Sequence, residues 1–162
     1  MRNAKLQGVF ESLGFDNVKT VIASGNLLFD SPLDNPQQLE SMIEQAIPAQ
    51  LGFTSICIVR SREQLKDLVA HSPFRGHAYT KKHYLTVTFL KHPAAVPFAL
   101  PFRPSGKSYT LLAAHSQELF CVVDLTDNKA GELMVWLEKH FSKAITTRTW
   151  NTVQKIIKKL DE

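Results

Sequence analysis

Apolar positions along the chain switch between a helical period and a strand period, and the switches mark the elements. Leu6, Val9, Phe10 and Leu13 recur at helical spacing with Gly14 behind them, so residues 3–13 read as an amphipathic helix with a glycine C′ stop. Val18 to Ile22 is β-branched and strand-like. Ser24-Gly25-Asn26 breaks it with turn residues, and Leu27-Leu28-Phe29 resumes the apolar run, which predicts a hairpin. Pro36 suits a first helical turn behind Asp34 or Asn35 as cap, and Leu39, Met42, Ile43, Ala46 and Ile47 mark one helical face. Pro48 is expected to end or kink that helix.

Thr54 to Arg60 reads as the next strand. Ser61 and Gln64 form an S-x-x-Q capping box that opens a helix through about His71, with Leu65, Leu68 and Val69 on its buried side. A loop over 72–82 leads to a strong strand, Tyr84 to Leu90. Pro93, Pro97, Pro101 and Pro104 then argue against a regular helix. Ser108–Ala113 and Glu118–Val123 read as a second hairpin. Leu133, Trp136, Leu137 and Phe141 mark a helix, Ala144–Trp150 a last strand, and Asn151 a cap for a terminal helix with Val153, Ile156, Ile157 and Leu160.

This order predicts an α+β protein built from two ferredoxin-like (βαββαβ) halves. The first half, 1–60, lacks its opening strand. A connecting helix and basic loop span 61–82, the second half 83–150, and a C-terminal helix 151–162. In the second half the Pro-rich link takes the place of a helix. The missing strand would lie in mid-sheet, where its absence leaves neighbouring backbone groups without partners. Three outcomes are open: the sequence is a shortened one, another chain supplies a strand, or the remaining strands close the gap. The second would make a homodimer through the incomplete first sheet.

Short anchors in fixed order carry a family resemblance. They are Leu13-Gly14-Phe15, Ser24-Gly25-Asn26 with Phe29, Arg60-Ser61, Pro73-Phe74, Val87-Thr88-Phe89-Leu90, and Arg148-x-Trp150-Asn151-Thr152-Val153. Through most of residues 3–158 the chain resembles the bacterial family called domain of unknown function 1697. The resemblance implies two ferredoxin-like halves. Members usually begin with an additional strand and a Gly-rich turn, both missing here. They often carry a Ser-Lys-Leu-type segment where this chain has Asp127 to Leu133, out of register. The family has no established activity to carry over, so the resemblance speaks to fold.

Composition narrows the classes further. In 162 residues, 44% hydrophobic content supplies a core and excludes bulk disorder. No apolar run spans a bilayer and no signal-peptide core opens the chain, so a cytoplasmic protein without a membrane partner is expected. Cys57 and Cys121 sit in apolar runs and read as buried free thiols, though one disulfide between them stays open. The net charge of +4 permits attraction to phosphates or acidic surfaces.

Chemistry is sparse. No nucleophile elbow, phosphate loop or dinucleotide fingerprint is present. None of the six histidines forms H-x-x-x-H, H-E-x-x-H or a set with cysteine, so neither a metal nor a cofactor is expected. Ser24 and Asn26 would offer a hydroxyl and an amide to a ligand, although a turn explains them as well. Arg75, Lys81 and Lys82 surround Tyr79 in a basic loop suited to phosphate contact and base stacking. Arg148 and Asn151 sit where a strand meets a helix N-terminus, a place for an anion or for plain capping.

No catalytic residue can be named. The expectation is therefore a non-catalytic binding module for an anionic ligand, a nucleic acid or a protein partner. The alternative is a small enzyme on a phosphorylated or acidic metabolite, with Arg148, Lys81 or Lys82 holding the anion.

Overall fold

The computed structural model of the protein describes residues 3–22, 25–124 and 132–162. Ser24 and the segment Asp127 to Gly131 lie outside the described residues. The chain divides into two units, residues 1–65 with 154–162 and residues 66–153. It is a mixed α/β protein with five helices and two antiparallel sheets among the described residues. None of these helices is long and apolar enough to cross a membrane.

In the first unit, local signals set the element ends. Helix α1 (Asn3–Ser12) stops at Gly14, whose φ of +85° suits a glycine. The Gly14 N–H donates to the Glu11 carbonyl at 3.0 Å and the Phe15 N–H to the Phe10 carbonyl at 3.4 Å, a Schellman stop. Its usual apolar contact is here an edge-to-face pair of Phe10 and Phe15, with centroids 6.0 Å apart. Strands β1 (Asp16–Val21) and β2 (Asn26–Asp30) form the predicted hairpin, with Val21 opposite Asn26. A register shift between Asp16 and Lys19 accompanies a positive φ at Asn17, whose amide donates to Asp30 at 2.8 Å.

Helix α2 (Pro36–Leu51) begins as predicted. Asn35 Oδ1 accepts from the N–H of Gln37 and Gln38 at 3.0 and 3.2 Å, behind Pro36 in the first turn. Its end differs from the prediction. Pro48 lies inside the helix, which runs on to Leu51 and closes at left-handed Gly52. Pro48 has no N–H for the Glu44 carbonyl, but the side chain is exposed and the Pro48 carbonyl is taken by the Gly52 N–H at 3.0 Å. Leu6, Val9, Phe10, Phe15, Leu39, Ile43 and Ile47 build the core between helices and hairpin.

The expected strand over 54–60 does not form. The segment lies in no ladder of the described residues, so the remaining strands do not close the gap in the first sheet. Its Cys57 and Val59 side chains still pack against the core. Its N–H groups meet carboxylates instead of a strand: Cys57 donates to Glu44 at 3.0 Å and Val59 to Glu40 at 2.9 Å. Glu40 and Glu44 are one helical turn apart, and residues 57 and 59 of an extended chain present their amides to the same side, so the spacings match.

Helix α3 (Arg62–Ala70) opens with the predicted capping box. Gln64 N–H donates to Ser61 Oγ at 3.1 Å and Ser61 N–H to Gln64 Oε1 at 2.8 Å.

The second unit holds a four-stranded antiparallel sheet in the order β4-β5-β3-β6. Its strands are β3 (His83–Leu90), β4 (Tyr109–His115), β5 (Glu118–Asp124) and β6 (Ile145–Thr149). β3 is paired on both edges, and Leu85 to Leu90 are all buried. One face carries Leu90, Tyr109, Leu111, Leu119, Cys121 and Val123 against Leu133, Leu137 and Phe141 of α4 (Glu132–Phe141).

The Pro-rich link covers part of that same face without becoming a helix. Phe98 stacks on Phe102 at 4.1 Å and on Trp136 of α4 at 5.6 Å, and Phe102 bridges to Leu111. Helix α5 (Trp150–Leu160) starts one residue before the expected cap. Thr149, not Asn151, caps it: the Thr152 N–H donates to Thr149 Oγ1 at 3.3 Å.

Two outcomes test this account. Pro48→Ala restores a helical N–H at an exposed site and is expected to raise stability by about 1–3 kcal/mol in urea unfolding. Cys57 and Cys121 are both in the thiol form, and burial pushes the Cys121 thiol up to about 12. Ellman titration of the native protein at pH 8 is therefore expected to leave Cys121 unmodified, with reaction following denaturation.

Candidate functional site

The residues singled out in the sequence fall into different settings. Asn26 belongs to the first unit, where it opens β2 and its amide donates to the Val21 carbonyl across the hairpin at 3.2 Å. Arg75, Lys81, Lys82, Arg148 and Asn151 belong to the second.

Ladder pairing assigns faces within that unit. Arg148 stands opposite Val87, on the sheet face that also carries Phe120. Burial lowers its guanidinium pKa below the ordinary value, and Arg148 Nη1 donates to Thr146 Oγ1 at 2.6 Å and to the Thr147 carbonyl at 3.0 Å. Tyr79 of the basic loop stacks on Tyr84 at 5.1 Å and hydrogen-bonds Thr149; both partners point to the opposite face. Desolvation raises its phenol pKa above the usual value. One ring face of Tyr79 is thus spent on Tyr84 rather than left for a base.

Arg75, Lys81 and Lys82 are exposed, and Thr80 Oγ1 shapes their loop by accepting from the N–H of Lys82 and His83 at 3.2 and 3.0 Å. Asn151 is exposed on the first turn of α5. Arg148 and Tyr79 therefore serve opposite faces of one sheet.

A cluster that the sequence reading passed over is assembled instead from Asp67, His71 and His115 of the second unit. Asp67 and His71 are an i,i+4 pair at the end of α3, and the His71 N–H still donates to the Asp67 carbonyl at 3.2 Å. His115 closes β4 at the hairpin tip. Its Nε2 stands 2.9 Å from Asp67 Oδ2, and that contact holds the Asp67 carboxyl below its ordinary pKa. His71 Nε2 is 3.9 Å from the same oxygen, and the two imidazole rings meet edge-on with centroids 3.6 Å apart. The D-x-x-x-H spacing was readable, but a search for paired histidines or cysteines skips it, and His115 lies 48 residues from Asp67.

The first unit offers an edge. Among the described residues β2 pairs with β1 alone. Leu27 and Phe29 turn toward the core, and residues 54–60 share that core without joining a ladder.

Residues 1–120 match the family model described as a protein of unknown function, DUF1697. The chain belongs to this family. The match spans residues 1–65 of the first unit, β3, β4 and the start of β5, and all three members of the Asp67–His71–His115 cluster. Arg148 and Asn151 lie beyond it. No curated protein matches the chain. Among solved structures it resembles the conserved bacterial protein SP0830 from Streptococcus pneumoniae, at 19% identity and a TM-score of 0.72, covering 100% of this chain and 90% of that one. At that identity the likeness speaks for the fold.

The carboxylates that hold residues 57 and 59 in the DUF1697 chain can be tested directly. Glu40→Ala removes the buried carboxylate that accepts from the half-buried Val59 N–H and is expected to cost about 1–3 kcal/mol. Glu40→Gln keeps an oxygen acceptor and is expected to cost less in the same urea titration.

Proposed function

We propose that the protein is a non-catalytic binding module whose first unit takes a protein partner by strand addition. The observation that carries this is the two-stranded first sheet, whose β2 meets only β1 among the described residues.

The second unit gives a template. Its element order, β3, link, β4, β5, α4, β6, with sheet order β4-β5-β3-β6, follows the ferredoxin-like split pattern with the first helix replaced by the link. In that pattern the first strand lies between the third and the last. The same order applied to the first unit makes β1 and β2 the second and third strands and residues 54–60 the last. A strand laid beside β2 would then hold the central place that β3 holds in the second unit. Main-chain hydrogen bonds would supply affinity and the half-buried Leu27, Leu28 and Phe29 side selectivity.

The simplest partner is a second copy, whose β2 meets this β2 antiparallel about a two-fold axis and, with its own β1 on the far edge, serves the β2 side of that place alone. Light scattering from about 5 to about 200 μM is expected to show a dimer that grows with concentration, with Leu27–Asp30 amides exchanging more slowly as it forms. A monomer over the whole range with freely exchanging β2 amides would count against this reading.

A further inference from the structure

We propose that Asp67, His71 and His115 form a binding site for one divalent transition-metal ion of zinc-like preference. This does not depend on strand addition, since all three residues belong to the second unit.

The three donors are held by element ends. Asp67 and His71 share one turn at the close of α3, where the His71 N–H to Asp67 carbonyl bond extends the helical path. His115 is fixed at the end of β4 by its pairing with Glu118. The ligating atoms all lie within 4.8 Å of one another, with separations of 2.9 Å from Asp67 to His115 and 3.9 Å from Asp67 to His71. A tetrahedral ion with bonds of 2.0–2.2 Å sets its ligand atoms about 3.3–3.5 Å apart. The two distances bracket that edge, and the two imidazole rings, whose centroids are now 3.6 Å apart, must part by side-chain rotation to aim both nitrogens at one ion.

Donor chemistry narrows the ion. Two imidazole nitrogens and one carboxylate oxygen suit zinc, cobalt and nickel, whereas calcium and magnesium want all-oxygen sets. The side chains are partly exposed, at 62% for Asp67, 49% for His71 and 33% for His115, so water reaches the remaining coordination position. On binding, the Asp67–His115 hydrogen bond gives way to two bonds to the metal. Three protein ligands with one position open to water make a site that holds an ion and takes a further small ligand from solution.

Isothermal titration of the full, tag-free chain with zinc chloride tests the assignment. The expected result is saturation at one zinc per chain. Asp67→Ala, His71→Ala and His115→Ala should each weaken binding about tenfold or more, while His92→Ala and Cys57→Ser leave it unchanged. Circular dichroism checks that each variant stays folded. Long-range nitrogen–proton NMR of the unaltered protein supplies a second readout, in which zinc should shift the ring nitrogens of His71 and His115 alone among the six histidines. Zinc affinity that survives both His71→Ala and His115→Ala, binding lost with Cys57→Ser, or no saturable binding would overturn the proposal and leave a hydrogen-bonded surface triad.

Discussion

Backbone hydrogen bonding is the constraint on which the rest of this structure depends. Each residue other than proline brings one N–H and one carbonyl, and a buried strand must place both. Strand β3 does so with ladder partners on each side, β5 and β6. That double pairing lets the whole run Leu85 to Leu90 sit inside, with the hydroxyls of Thr86 and Thr88 hydrogen-bonded to the Cys121 carbonyl and to Thr147. It also fixes where side chains of neighbouring strands point. Arg148 faces away from α4 because it stands opposite Val87, and Thr147 faces α4, where its hydroxyl meets Thr88 at 2.7 Å.

The first unit meets the same constraint with fewer strands. Its hairpin satisfies one edge of β2, and two carboxylates of α2 serve the amides of Cys57 and Val59. A carboxylate is a stronger acceptor than a carbonyl, so each contact is sound by itself. It is a poor template for a sheet, however, because a side chain fixes one amide where a strand fixes a whole row. The segment 54–60 is therefore extended and packed, but it is not a strand.

What was legible in the sequence followed from how far each feature reaches. Gly14, Asn35 and the Ser61–Gln64 box act within one turn of chain, and residue type predicts the kind of bond observed, although Asp34 suited the α2 cap as well as Asn35. The hairpins were equally readable, since alternation and turn residues lie side by side. Residues 54–60 carry a strand pattern that only a distant partner could complete, so the pattern overstates the outcome. Pro48 misleads in the opposite way. Its cost is local, but the packing of Ile43 and Ile47 and the Gly52 stop hold the helix together beyond it. Asn151 looked like a cap because Thr149 was assigned to a strand running to Trp150, a two-residue error at a boundary that both residue types suit.

The Asp67–His71–His115 cluster shows why site chemistry is harder to read than fold. Half of it, the i,i+4 pair, is a matter of helix geometry. The other half depends on which end of the β4–β5 hairpin lies beside α3, and only tertiary structure gives that. Stability offers little reason for the arrangement. Exposed ion pairs contribute little to folding, and two imidazoles pressed edge-on become mutually repulsive when charged. The convergence of three donors on one oxygen-centred point is thus better explained by something that draws them together than by their attraction for one another. A cation does this, because it replaces one hydrogen bond with three directed bonds and favours the uncharged form of both rings.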